Sequence, residues 1–209
     1  QGGSGTGGSS GGGGIVVPPV KDDKTKEEQP TTNAAEIYND IPANAWYNDA
    51  VNFVTEKGLM SGTGADTFAP GDKLTRAMLA QILYNNEDKP ATSGNAFDDV
   101  QSSAWYADAV TWATQKGIVS GYGNGQFGPN DNITREQLAV MLWRYAGQPA
   151  SIASLNGFTD VGKASDYTLT ALQWAVEKGI ISGKGNGTID PTGNATRAEV
   201  ARMLMNYFK

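Results

Sequence analysis

Three arginines stand in the same local setting: Arg76 in "DKLTRAM", Arg135 in "DNITREQ" and Arg197 in "GNATRAE". Each follows a Thr at the end of a Gly/Asn/Asp-rich loop and opens a stretch with the apolar spacing of a helix. The chemistry a guanidinium offers is anion capture, because its planar fork matches a carboxylate with two parallel charge-assisted hydrogen bonds. Its position works against local stability, since its charge meets the positive end of the helix dipole. The same helix end is favourable to anions. A locally unfavourable choice made three times needs a non-local reason. That reason is either a bound anion or a carboxylate on a neighbouring unit. Thr75, Thr134 and Thr196 are placed as N-caps, each able to accept an unpaired backbone N–H. Gln137 and Glu199 complete capping boxes, whereas Met78 breaks the first. With the cap assigned to its neighbours, each Arg is expected to be left over from structure and to face a groove.

Other residues recur with them. Trp46, Trp105 and the equivalent Tyr167 sit at the start of the preceding helices, where an aromatic face could stack on a sugar or simply join the core. The loops present Ser61, Gly62 and Gly64, then Ser120, Gly121 and Gly123, then Ser182, Gly183 and Gly185, as hydroxyl and backbone N–H donors or as plain turn chemistry. Between them, Thr63, Tyr122 and Lys184 differ at one loop position, so the grooves need not be equal. Trp112, Trp174 and Trp143 read as packing. Asp40, Asp99 and Asp160 read as structural, holding the start of each unit. The loop "GNGQFGPNDN" superficially suggests calcium but lacks the carboxylate spacing of an EF-hand. No metal and no cofactor is expected.

Composition removes whole classes of chemistry. The 209 residues contain no His and no Cys, so the usual general base, thiol catalysis and the commonest transition-metal ligands are missing. The net charge of -6 argues against nucleic acid or an anionic membrane surface, and no apolar run is long enough for membrane insertion. A glycan hydrolase would need converging carboxylates, and the acidic residues form no such motif. The chain is expected not to be an enzyme.

The elements that position these residues come as three repeats. Aligned on "KG", the units place Gly58, Gly117 and Gly179 at separations of 59 and 62 residues, and the three arginines keep the same separations. "YNDI" (38–41), "FDDV" (97–100) and "FTDV" (158–161) open the units. Each unit reads as helix, loop, helix. The first helix ends at a Gly suited to the left-handed conformation, with apolar Leu59, Ile118 or Ile180 next. The second carries Leu79, Ile82 and Leu83; Leu138, Met141, Leu142 and Tyr145; Val200, Met203, Leu204 and Tyr207. A lone unit of this size would bury only roughly 60% of its unfolded surface. Three sharing a core as a pseudo-threefold cluster is the expected solution, giving an all-α, mainly helical fold. The expected divisions are a Gly/Ser-rich and Pro/charged flexible linker over 1–35, with the folded part beginning near Ala35, and repeats over 36–95, 96–156 and 157–209. A chain that opens in mid-linker is expected to be a fragment or the end of something larger.

The ordered motifs F-x-D-V, W-Y/A-x-D-A-V, KG-I/V, S-G-x-G-N-G-x-F-x-P and I-T-R-E/A-E/Q, three times over Glu36 to Lys209, resemble the S-layer homology (SLH) domain. The resemblance implies a secreted three-repeat module that holds a larger surface protein non-covalently to the bacterial cell wall, as a monomeric unit. It implies a secondary cell-wall polysaccharide as partner, commonly ending in pyruvylated N-acetylmannosamine, with the repeated Arg meeting the pyruvyl carboxylate in an inter-repeat groove. The alternative is a protein–protein or S-layer assembly module without glycan binding. The sequence departs from the family pattern at Met78, and again at Tyr167 and Thr170, where repeat two has Trp105 and Asp108.

Overall fold

The computed structural model describes residues 33–209. All but the last three residues of the expected linker lie outside that range. Those three belong to the folded part: Asn33 caps a short helix, α1 (Ala34–Ile37), and Ala34 is fully buried, so the folded part includes residues before Ala35. The first repeat continues with α2 (Asn48–Glu56) and α3 (Arg76–Asn86), the second has α4 (Ala107–Gln115) and α5 (Arg135–Tyr145), and the third has α6 (Leu169–Glu177) and α7 (Arg197–Phe208). Two 3₁₀ turns, Val161–Lys163 and Asp166–Thr168, lead into α6. The fold is all-α, and the loops form isolated antiparallel bridges among the described residues rather than strands.

Local chemistry sets the helix ends. Gly58, Gly117 and Gly179 take φ of +66°, +69° and +66°, closing α2, α4 and α6 in the left-handed conformation. Leu59, Ile118 and Ile180 then donate back to the carbonyls of Val54, Ala113 and Ala175 and bury their side chains. Thr75, Thr134 and Thr196 cap the second helices, with full capping boxes at Gln137 and Glu199 and a Thr cap alone at Met78.

Closure comes from a ring of hydrogen bonds among the segments just before the second helices. Ile133 N–H donates to the Leu74 carbonyl at 2.8 Å, Ala195 N–H to Ile133 at 3.0 Å, and Leu74 N–H to Ala195 at 3.2 Å. The second helix of each repeat packs on the first helix of the next: α3 on α4, α5 on α6, and α7 back on α2. The last pairing closes the circle, which an open solenoid cannot do. Leu74, Ile133, Phe68, Phe127 and Ile189, each at most 1% exposed, fill the shared core. Each unit thus buries its apolar face on two neighbours, which is how short repeats without disulfides reach a stable core.

Within each repeat the opening Asp ties the start to the loop. The carboxylate of Asp40 accepts from Phe68 and Ala69 N–H, that of Asp99 from Phe127 and Gly128, and that of Asp160 from Ile189 and Asp190. These are the structural roles expected of the three. Burial alone would raise the Asp160 carboxyl, but its backbone N–H donors outweigh it and hold it below the ordinary carboxylate range.

Candidate functional site: the inter-repeat grooves

The arginines are not left over from structure. Arg76, Arg135 and Arg197 are 6%, 3% and 7% exposed, and each reaches into the loop of the following repeat. Arg76 Nε donates to the Phe127 carbonyl at 2.9 Å and Nη2 to Ser120 at 3.2 Å. Arg135 makes the same pair with Ile189 and Ser182, both at 2.8 Å. Arg197 makes it with Phe68 at 2.8 Å and Ser61 at 2.7 Å. The carbonyl oxygens offset the charge that the helix dipole repels, which explains an Arg in the first turn. The neighbouring-carboxylate reading therefore misses the principal partners, which are backbone carbonyls, although Glu199 does stand 3.7 Å from Arg135 Nη1.

The helix N-termini are likewise occupied. Arg76 and Ala77 N–H donate to the carbonyls of Asp131 and Pro129, Arg135 and Glu136 N–H to Gly193 and Pro191, and Arg197 and Ala198 N–H to Asp72 and Pro70. The third N–H of each helix goes to the Thr cap. An anion in these grooves would meet side chains, not the helix end. Among the described residues, Nη1 of Arg76 and Arg197 carries no hydrogen bond, so that edge of the guanidinium is not engaged by the protein.

The structure brings together residues from all three repeats at each of two grooves. The first, about 390 Å³, has Arg76 from repeat one, Ser120, Gly121 and Tyr122 from repeat two, and Tyr167 from repeat three. The second, about 450 Å³, has Arg135, then Ser182, Gly183, Lys184 and Gly185, and Trp46 from repeat one. Arg197 reaches Ser61, and by repeat alignment the residues equivalent to the other groove positions are Gly62, Thr63, Gly64 and Trp105. Trp46, Trp105 and Tyr167 are 58%, 61% and 61% exposed, which removes the core reading for them. Trp112 and Trp174 are buried as expected, and Trp143 is half-buried with its indole N–H on the Pro149 carbonyl.

Gly62, Gly121 and Gly183 have a packing reason of their own. A Cβ there would come within 2.9 Å of a ring carbon of Tyr38, Phe97 or Phe158, the aromatics that open the repeats. Gly64 and Gly123 lie exposed in the loops without lining the Arg76 or the Arg135 groove. Tyr122 does more than vary the loop: its ring lies 4.9 Å from the Arg76 guanidinium carbon, and the Phe127 ring lies 4.7 Å from the same carbon.

Sequence reasoning missed the groove wall made by the second helices. Gln137, Val140, Met141 and Arg144 line the first groove, and Glu199, Arg202 and Met203 the second. Their spacing of i, i+3, i+4 and i+7 places them on one helical face, a signal available in the sequence. Arg202 stacks over Trp46 at 5.8 Å and donates to its carbonyl. Lys184 and Arg135 both face Glu199. Burial would raise the Glu199 carboxyl, but Lys184, the Thr196 N–H and Arg135 together pull it below its usual range. A buried carboxylate, Glu136, was also missed: it accepts from Ser165 N–H, Ser165 Oγ and Thr168 Oγ1 and joins repeats two and three. The other repeats carry Ala77 and Ala198 at that position, so no repeat pattern marks it.

The S-layer homology domain profile matches residues 37–78, 96–139 and 157–201, one match per structural repeat. The chain belongs to the SLH domain family. It is 34% identical to the S-layer protein sap of Bacillus anthracis over 84% of this chain and 22% of that protein. It is 33% identical to an amylopullulanase of Thermoanaerobacterium thermosulfurigenes, covering 80% of this chain and 9% of the enzyme. An endoglucanase of Bacillus sp. (strain KSM-635) is 30% identical over 80% of this chain and 18% of its own length. The chain thus spans less than a quarter of each of these relatives, and the enzymes share with it only the SLH part. SLH membership makes it a cell-surface anchoring module of the kind that binds cell-wall polymers. No helix among the described residues is long and apolar enough to cross a membrane.

Proposed function

We propose that this SLH module holds a larger secreted protein to the bacterial wall as a monomeric unit, non-catalytically, by binding an anionic secondary cell-wall polysaccharide in its inter-repeat grooves. The ligand end we assign is a pyruvate ketal on N-acetylmannosamine, which supplies a carboxylate for Arg76, Arg135 or Arg197 and a sugar face for Tyr167, Trp46 or Trp105. The observation that carries this reading is the pairing, in both the Arg76 and the Arg135 groove, of a buried guanidinium with an exposed aromatic ring. The backbone carbonyls fix the guanidinium in advance, so little side-chain entropy remains to be lost on binding. Several such grooves on a polymer-rich surface gain avidity without individually tight sites. We take the repeat divisions to be 36–95, 96–156 and 157–209, with each groove spanning a division.

Co-sedimentation with wall sacculi tests it. The protein should pellet with native sacculi and stay in solution with sacculi stripped of non-peptidoglycan polymer, and no soluble sugar should be released over time. Equal pelleting with both preparations sinks the polysaccharide reading and favours assembly through protein or peptidoglycan contacts.

A further inference from the structure

The grooves share the arginine clamp but differ at their other charged positions. In the first, neutral Gln137 stands where the second has Glu199, and Arg144 Nη1 donates to Ser120 Oγ at 3.3 Å. Among the described residues neither Arg76 nor Arg144 forms an ion pair. In the second, Glu199 stands 3.7 Å from Arg135 and also pairs with Lys184, so a carboxylate of the protein already faces the cations. In the third, Met78, Gln81 and Asn85 replace Gln137, Val140 and Arg144, and Arg197 has no cationic companion at those positions.

We infer that the Arg76 groove is the principal anion seat of this chain, and that Arg144 is a second anion-contacting residue in it. The inference rests on the glycan reading above and narrows it to one groove. Two guanidiniums with no carboxylate in ion-pair contact can share one anion, and each carries more donors than its internal contacts use. Arg76, Arg144 and Tyr167 line one groove, and while burial and Glu136 push the Tyr167 phenol up, the two guanidiniums pull it back. Tyr122 adds its ring rather than a donor, because its hydroxyl is already given to Asp131 at 2.8 Å. The second groove also holds Arg202, but that guanidinium lies over the Trp46 ring and donates to the Trp46 carbonyl. An anion entering there would meet Glu199, and like charges at short range oppose binding.

Amide spectra of the isotope-labelled chain resolve the grooves, because each loop belongs to one of them. The probe is a glycoside of N-acetylmannosamine bearing the pyruvate ketal, with the ketal-free sugar in a parallel arm. Gly121 and Tyr122 should saturate at roughly tenfold lower concentration than Gly183 and Lys184 or Gly62 and Thr63. R144Q should raise the concentration needed for the first loop about tenfold, leave the other loops unchanged, and be partly rescued by R144K. Unmoved Leu74, Ile133 and Ala195 amides would show the ring intact in each variant. Loops that titrate together, an R144Q protein that binds like wild type, or equal response to the ketal-free sugar overturns the inference while leaving a glycan-binding module. No response of any loop to either sugar overturns both.

Discussion

Replacing Arg197 by Ala tests the clamp where it matters most, because the contact between repeats three and one closes the ring with no linker to hold it. Two hydrogen bonds are lost, to Phe68 and Ser61 carbonyls at 2.8 and 2.7 Å, from a side chain only 7% exposed. Charge-assisted hydrogen bonds contribute about 1.5–3 kcal/mol each. The Phe68 carbonyl loses a buried partner, while the Ser61 carbonyl belongs to an exposed residue that water can reach. The stacking of Arg197 over the Phe68 ring, at 4.7 Å, adds about 0.5–1 kcal/mol. Releasing a buried charge to solvent offsets part of the total, leaving a loss of about 3 kcal/mol. For a domain of this size that corresponds to a drop of about 6–12 °C in Tm. Thermal unfolding followed by circular dichroism reads it directly, and amide exchange at Leu74, which donates to Ala195 across the same closure, should quicken. R197K keeps the charge without the fork and should recover little of the loss. A Tm within about 2 °C of wild type would refute the clamp as a structural element. The same reasoning means that lost wall binding in any Arg→Ala variant must be separated from lost stability.

Three further outcomes follow from particular contacts. Glu136→Ala should cost about 2–3 kcal/mol in chemical denaturation, since it strips the partners of Ser165 and part of the Thr168 hydroxyl's bonding; a loss under 0.5 kcal/mol would contradict its bridging role. Ala69 holds φ of 56° where repeat two has Gly128, so A69G should stabilise by about 0.5–1 kcal/mol, the left-handed strain of Ala exceeding the added chain entropy of Gly, and a destabilised protein would show that strain is absent. Asp160 and Glu199 titrate below their ordinary range in the fold, so their contribution is present above the unfolded carboxylate range and lost as pH falls through the lower folded values. Denaturation midpoints should therefore decline below about pH 4, less steeply in E199Q, and parallel curves for the two proteins would contradict this.

What was legible in the sequence was local. The Thr caps, the two capping boxes and the left-handed glycines each depend on a few adjacent residues, and all appear where their spacing puts them. The recurrence of the units also made threefold closure legible. The partners of the arginines were not. Those of Arg76 lie 44 and 51 residues away and those of Arg197 lie 129 and 136 away. They are also backbone carbonyls, which every residue has and no motif marks. For that reason an Arg with no side-chain partner looked free for a ligand when two of its nitrogens were already engaged. Arg144 and Arg202 were legible in principle, because they share a helical face with Gln137 and Glu199. Attention to the repeated positions hid them, since repeat one carries Asn85 and Gln81 there.

The most direct test of wall anchoring through these grooves is the affinity of the protein for purified wall polymer before and after mild acid hydrolysis of its pyruvate ketals, which releases pyruvate and its carboxylate from the sugar. A carboxylate held by a preset guanidinium predicts that binding weakens at least roughly tenfold once the carboxylates are gone. Equal affinity for the intact and the hydrolysed polymer would contradict the account, because the grooves would then not be reading the anion.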